Sequence, residues 1–157
     1  MLFRSMKYEI KPTEDLYTLN KFFEENDLEI GDEDEPEKTD PVAAWNVVDT
    51  KGMAGGILLA LCEGEYILDG IAVREDLRGT NLGKELLFKI LKEAKNRGAK
   101  RIYLVARALD FFRKYGFKKT NPAKVPPFFG CLGCPQYNKI CFPEVMIKEG
   151  LKNEDYN

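Results

Sequence analysis

The chain contains no histidine among its 157 residues. Every imidazole-based device is thereby excluded, including Ser–His and Cys–His nucleophile pairs and any His-ligated metal centre. A general base must be a carboxylate, a lysine, a tyrosine, a cysteine or a water. A surplus of positive charge is also lacking. The 24 Lys and Arg residues against 26 Asp and Glu give a formal net charge of −2, which argues against a general nucleic-acid binder. No apolar run approaches the ~20 residues of a bilayer-crossing helix, and Met1-Leu-Phe-Arg-Ser-Met6 lacks the apolar core of a secretory leader. The expectation is a cytoplasmic protein with no membrane and no nucleic-acid partner. A second domain has little room: at this length one domain buries about 68–70% of its unfolded surface.

What is present centres on residues 66–91. Tyr-Ile-Leu-Asp-Gly-Ile-Ala-Val (66–73) is rich in strand formers, and Leu82, Leu86, Leu87, Ile90, Leu91 and Ala94 recur on one helical face. Between them lies Arg78-Gly79-Thr80-Asn81-Leu82-Gly83-Lys84. A small-residue loop that opens a helix leaves backbone N–H groups without acceptors, and the helix dipole adds partial positive charge there. That combination holds a phosphate or pyrophosphate.

Along the rest of the chain, residues 6–11 alternate as a short first strand. Thr13 is placed to cap a helix whose first turn holds Glu14 and Asp15 and whose buried face holds Leu16, Leu19, Phe22 and Phe23. Residues 27–40 break this pattern with Glu29, Asp32, Glu33, Asp34, Glu35 and Glu37. They read as a solvated loop, with an acidic rim for a cationic substrate as the other reading. Strand-like segments at 44–49, 53–62 and 65–73, divided by turn signals, form an antiparallel meander. The helix of residues 81–96 ends at Arg97-Gly98, and strand 101–106 is expected parallel to strand 65–73. A short helix over 108–115, strands at 117–120 and 143–148, and a frayed tail at 152–157 complete the reading.

The cysteines are Cys62, at a strand end, and Cys131, Cys134 and Cys141 within an insert over residues 121–142. Three local thiols suggest a structural zinc with Cys62, water or a substrate atom as fourth ligand. An iron–sulfur cluster, a disulfide and plain reduced thiols stay open on the same count.

The meander, the turn Val73-x4-Arg78-Gly-x-x-x-Gly83 and the segment Ala108-Leu-Asp-Phe-Phe-Arg-Lys-Tyr-Gly-Phe117 together resemble the GCN5-related N-acetyltransferase (GNAT) superfamily. The resemblance spans roughly residues 6–148. It implies an α+β fold, with a splayed, mostly antiparallel central sheet flanked by helices and acetyl-CoA lying in the splay. By similarity, the backbone of Ile71, Ala72 and Val73 meets the acetyl carbonyl and the pantetheine arm. Arg78, Gly79, Thr80, Asn81, Leu82, Gly83 and Lys84 cradle the pyrophosphate. Two positions depart from the family pattern. Asn81 replaces a glycine, in a position where a left-handed backbone would be tolerated by Asn. Phe112 replaces the tyrosine that protonates the departing thiolate in many members, leaving Tyr115 as a substitute donor or a packed aromatic. Strict alternation puts Glu65, Ile67, Asp69 and Ile71 on one face, which makes Asp69 the preferred base, acting through water, with Glu65 beside it. The implied activity is acetyl transfer to a primary amine, on a small molecule or a peptide, by direct attack on the thioester. A non-catalytic acyl-CoA-binding module and a metal- or redox-responsive module on the same fold are the alternatives. A homodimer is compatible with the family.

Overall fold

The computed structural model describes residues 8–26, 39–106, 108–121, 123, 144–154 and 156. The acidic run and the clustered cysteines Cys131, Cys134 and Cys141, with the zinc site proposed for them, lie outside the described residues. Among the described residues seven strands form one mixed sheet. In chain order they are β1 (Glu9–Pro12), β2 (Asp40–Asp49), β3 (Gly52–Cys62), β4 (Glu65–Val73), β5 (Arg101–Ala106), β6 (Lys118–Lys119) and β7 (Glu144–Glu149). Their order across the sheet is β1-β2-β3-β4-β5-β7-β6. Every neighbouring pair is antiparallel except β4 and β5, which run parallel as the intervening helix requires. The helices are α1 (Leu16–Glu25), α2 (Leu82–Asn96) and α3 (Leu109–Lys114).

The apolar faces read from the sequence are the ones that pack. All six expected residues of α2, Leu82, Leu86, Leu87, Ile90, Leu91 and Ala94, are fully buried. Each large one contributes about 1.5–3 kcal/mol from the area it removes from water. They meet Ile57 and Leu59 of β3 and Leu68 of β4 on one face of the sheet. Leu19, Phe22 and Phe23 of α1 cover the other face with Leu58 and Ala72. Two glycines set how closely α1 approaches. A Cβ on Gly56 would stand 2.2 Å from a Leu19 methyl, and one on Gly70 would stand 2.5 Å from the Phe23 ring.

Three local expectations are corrected. The cap of α1 is Asp15, whose carboxylate accepts from the Thr18 N–H at 3.1 Å, while Thr13 accepts from the Asp15 N–H at 3.1 Å. Glu14 and Asp15 therefore precede the helix, because an Asx cap places the helix start one residue after itself. The tail is docked. After a left-handed Gly150, residues Leu151–Asn153 form a 3₁₀ turn, and Leu151 and Tyr156 are buried. Glu154 pairs with the buried ammonium of Lys148 at 3.0 Å and accepts from the Tyr156 hydroxyl at 2.8 Å. Finally, the alternation along β4 is interrupted. Gly70 lies opposite Leu58 and Leu68 opposite Leu59, so the register skips Asp69, which forms a bulge. A bulge shifts the side-chain parity by one. Opposed residues share a face, so Glu65 and Ile67 stand with Gly70 and Ala72 on the α1 face. Ile71 and Val73 stand on the α2 face with Ile57 and Gly55.

Candidate active site

β4 and β5 pair only at Tyr66↔Ile102 and Ile67↔Tyr103. Beyond these two positions they separate, while β5 stays zipped to β7 through Ala106 and β4 stays zipped to β3 through Val73. The sheet thus opens in a wedge between its central strands. At the closed end Glu65 and Arg101, the first residues of the two strands, form an ion pair at 2.7 Å.

The upper half of β4 presents its main chain to this wedge. The Arg74 N–H bonds the Ala54 carbonyl at 2.7 Å. Because antiparallel pairing alternates, Ala72 points its backbone groups the same way, and Ile71 and Val73 point theirs into the wedge. The Val73 carbonyl accepts from the Arg78 guanidinium at 3.3 Å, which confirms the direction. Asp69, exposed on the bulge, accepts from the Thr39 hydroxyl at 3.1 Å.

The loop that follows turns through a 3₁₀ segment, Glu75–Leu77, into α2. Gly79 supplies the left-handed residue, with φ of +86°. Asn81 does not: its φ is −81°. The asparagine at the position of the family's glycine therefore carries no backbone strain here, and the loop closes without it. Nor does Asn81 cap α2 with its side chain. Thr80 takes that role, donating to the Leu77 carbonyl at 2.6 Å and accepting from the Leu82 N–H at 3.3 Å. The N–H groups of Gly79, Asn81, Gly83 and Lys84 have no acceptor among the described residues. Four donors gather in one turn at the positive end of a 15-residue helix, an arrangement able to seat an anion.

α3 lines the far side. Phe111 packs its ring 3.4 Å from where a Gly83 Cβ would stand, so the loop and α3 are in close contact here. Phe112 faces inward, buried against Phe117 and Phe111. Tyr115 packs edge-on against Phe88 and Phe111, with centroids 5.8 and 5.3 Å away. An open depression of about 460 Å³ lies at the start of α3, lined by Ala108, Leu109, Asp110, Phe111 and Arg113. Cys62 is buried in a small apolar cluster with Ile67, Tyr103 and Ile147. No group of three or more metal-ligating side chains occurs among the described residues, and no helix is long and apolar enough to cross a membrane.

The sequence reading missed the residues that fasten this loop. Arg74 reaches the Asp49 carboxylate with two nitrogens, at 3.1 and 2.5 Å, and Asp76 with its Nε at 2.6 Å. The only sequence signal was a basic residue directly after a strand and next to Glu75-Asp76. The Arg74 guanidinium pulls the Asp49 carboxyl down to about 2 and lowers Asp76 as well. A depressed carboxyl contributes stability above its unfolded value and loses it as pH falls through the folded one. The Asp49 contribution is thus complete above about pH 4 and fades toward pH 2. Asp49→Asn is expected to flatten the drop in thermal midpoint between pH 4 and 2 relative to the unaltered protein; an equally steep drop in both would assign the acid lability elsewhere.

Comparison with known proteins agrees with this architecture. The chain resembles a GNAT-family acetyltransferase from Staphylococcus aureus Mu50 at 19% identity, with a TM-score of 0.67 over 90% of this chain and 98% of that one. The ribosomal-protein-S18-alanine N-acetyltransferase of Escherichia coli superposes with a TM-score of 0.63 at 17% identity, over 91% and 94% of the two chains. A GNAT-family acetyltransferase from Elizabethkingia anophelis with acetyl-CoA bound gives 0.58 at 18% identity, over 92% and 99%. These superpositions show a shared fold. No curated protein matches the sequence closely enough to count as a relative. The model of the acetyltransferase (GNAT) family matches residues 7–117, a span holding the meander, the splayed strand, α3 and the glycine-containing loop before α2, and the chain belongs to that family.

Proposed function

We propose that the protein transfers an acetyl group from acetyl-CoA to a primary amine, with the wedge between β4 and β5 as its active site. The observation that carries this reading is the continuity of the wedge with the anion seat. Backbone groups of Ile71 and Val73 run directly into four N–H donors at the head of α2. A ligand with amide groups along a flexible arm and a pyrophosphate at its end matches both halves. Gly79, Asn81, Gly83 and Lys84 would hold the pyrophosphate, with Arg78 beside them. Ile71 and Val73 would hold the arm, and their N–H groups stand ready for the oxyanion that develops at the acetyl carbon.

The amine must lose a proton before its lone pair attacks. Asp69, projecting from the bulge just below the wedge-facing backbone, takes that proton through water in this reading. The C–N bond then forms, the C–S bond breaks and CoA leaves as its thiolate, which takes a proton from solvent. Glu65 is committed to Arg101 at the closed end of the wedge and serves to hold the strands together there. A thiolate with an ordinary pKa near ~8.5 departs without full protonation, so the inward-facing Phe112 does not block turnover. Tyr115, packed on Phe88 and Phe111, is assigned to seating α3 against α2.

The acidic run at residues 29–37 of the sequence favours a cationic acceptor such as an amine; on either side of it in the sequence, Asn26 gives its carbonyl to Arg78 at 3.5 Å and Thr39 donates to Asp69 at 3.1 Å. The test is release of free thiol from acetyl-CoA across a panel of diamines, aminoglycosides and peptides with free N-termini or lysines. Amine-dependent release with at least one acceptor is the expected result. CoA binding without release across the whole panel would overturn the transferase reading in favour of a non-catalytic acyl-CoA-binding module.

A further inference from the structure

We infer that Arg74 is a positioning residue for the anion seat: it clamps the loop to the β2–β3 hairpin and so holds the N–H donors of residues 79–84 in register. The inference rests on the proposed binding of CoA at that loop.

The geometry forms a continuous relay. Asp49 closes β2 and turns into Gly52 through a hairpin whose Lys51 N–H bonds the Asp49 carboxylate at 2.8 Å. Arg74 is fastened to this hairpin by its main chain, through the Ala54 carbonyl, and by its side chain, through both Asp49 oxygens and the Met53 carbonyl. The same guanidinium holds Asp76 inside the 3₁₀ turn with a second pair of bonds, at 2.6 and 3.2 Å. The turn ends at Leu77, whose carbonyl receives both the N–H and the hydroxyl of Thr80. Thr80 in turn accepts from the first N–H of α2. One planar cation thus joins the rigid sheet to the cap of the helix that carries the anion seat.

Several features separate this from an ordinary surface ion pair. The Arg74 side chain is 21% exposed and that of Asp49 is 16% exposed, so solvent screening is reduced on both sides. The pairing with Asp49 is fork to fork, which fixes orientation as well as distance. Lysine at this position would keep the charge and lose the fork, since an ammonium presents a point charge in place of a planar set of donors. The rest of the loop is held more lightly: Glu75 and Asp76 are exposed, Leu77 is half-buried against the core, Arg78 reaches the Val73 and Asn26 carbonyls at 3.3 and 3.5 Å, and Gly79 has nothing within 4 Å of where a Cβ would stand. A loop that bonds a ligand through its main chain needs that main chain preorganised, because ordering it on binding subtracts from affinity.

The experiment is calorimetric titration of the full chain with CoA, and separately with inorganic pyrophosphate, for the unaltered protein, Arg74→Lys, Arg74→Gln, Thr80→Ala and the Arg74→Gln/Thr80→Ala pair. The expected result is a ~10-fold or larger weakening of CoA by both Arg74 variants, as loss of a charge-assisted bidentate contact implies. The acetyl-CoA KM rises in parallel and kcat stays within about threefold. The double variant should fall short of the product of the two single losses, since both act on one relay. Strictly multiplicative losses, or Arg74→Lys binding CoA as the unaltered protein does, would overturn the relay. A drop in melting temperature with CoA affinity intact would reduce Arg74 to a purely structural contact. Failure of the unaltered protein to bind CoA would instead defeat the proposed function and leave the clamp's geometry as it stands.

Discussion

Asp69→Asn is expected to slow amine acetylation by about 100-fold or more, the range that removal of a positioned general base produces, while CoA affinity stays within about twofold. Asparagine keeps an oxygen that can accept from Thr39 and preserves the shape of the bulge, so the change isolates the proton acceptor. Glu65→Gln is the matched control. Its carboxylate is bound to Arg101, so its loss should loosen the closed end of the wedge without a comparable loss of rate. Steady-state kinetics with the best amine from the panel, together with CoA titration, measure both effects. Turnover unchanged in Asp69→Asn would remove Asp69 from the chemistry.

Gly70→Ala is expected to cost about 1–3 kcal/mol of stability, the range for overpacking a filled site. The added methyl would meet three Phe23 ring atoms, at 2.5, 3.0 and 3.1 Å. Phe23 is only 1% exposed, so its rigid ring has no solvent side to retreat to. Relief must come from moving α1, and α1 is followed at once by Asn26, whose carbonyl accepts from the Arg78 guanidinium. The acetyl-CoA KM should therefore rise along with the loss of stability. Urea denaturation and KM determination check the two parts, and Phe23→Leu in the same chain should recover much of the stability. A variant as stable as the unaltered protein would show that α1 yields freely.

The contrast between these residues shows what a sequence exposes. The stripe on α2 was legible because helical period and burial are the same statement, and all six residues are in the core. The anion loop was legible as a glycine-punctuated strand-to-helix turn. Its conformation was less so, since the positive φ could fall on either of two turn-forming residues and falls on Gly79 rather than Asn81. The bulge at Asp69 overturned the strict alternation of β4; a glycine following an acidic residue inside a strand was its only mark. The wedge itself left no local signature, because divergence of β4 from β5 depends on what each strand's other neighbour holds. Arg74 was hidden for a similar reason: its principal partner, Asp49, is 25 residues away along the chain.

The docked tail changes how the end of the chain should be regarded. Lys148 is only 5% exposed, and its ammonium sits 2.4 Å from where a side chain on Gly116 would begin. Glu154 supplies its counter-charge, and the Lys95 ammonium bonds the Glu154 carbonyl. Tyr156 then lies edge-on to Phe88, the residue against which Tyr115 also rests. Cleavage after Gly150 would remove the counter-ion of a cation already sequestered from water, along with an aromatic ring packed on α2. The last turn thus serves as a stopper for a charge that the interior alone does not neutralise.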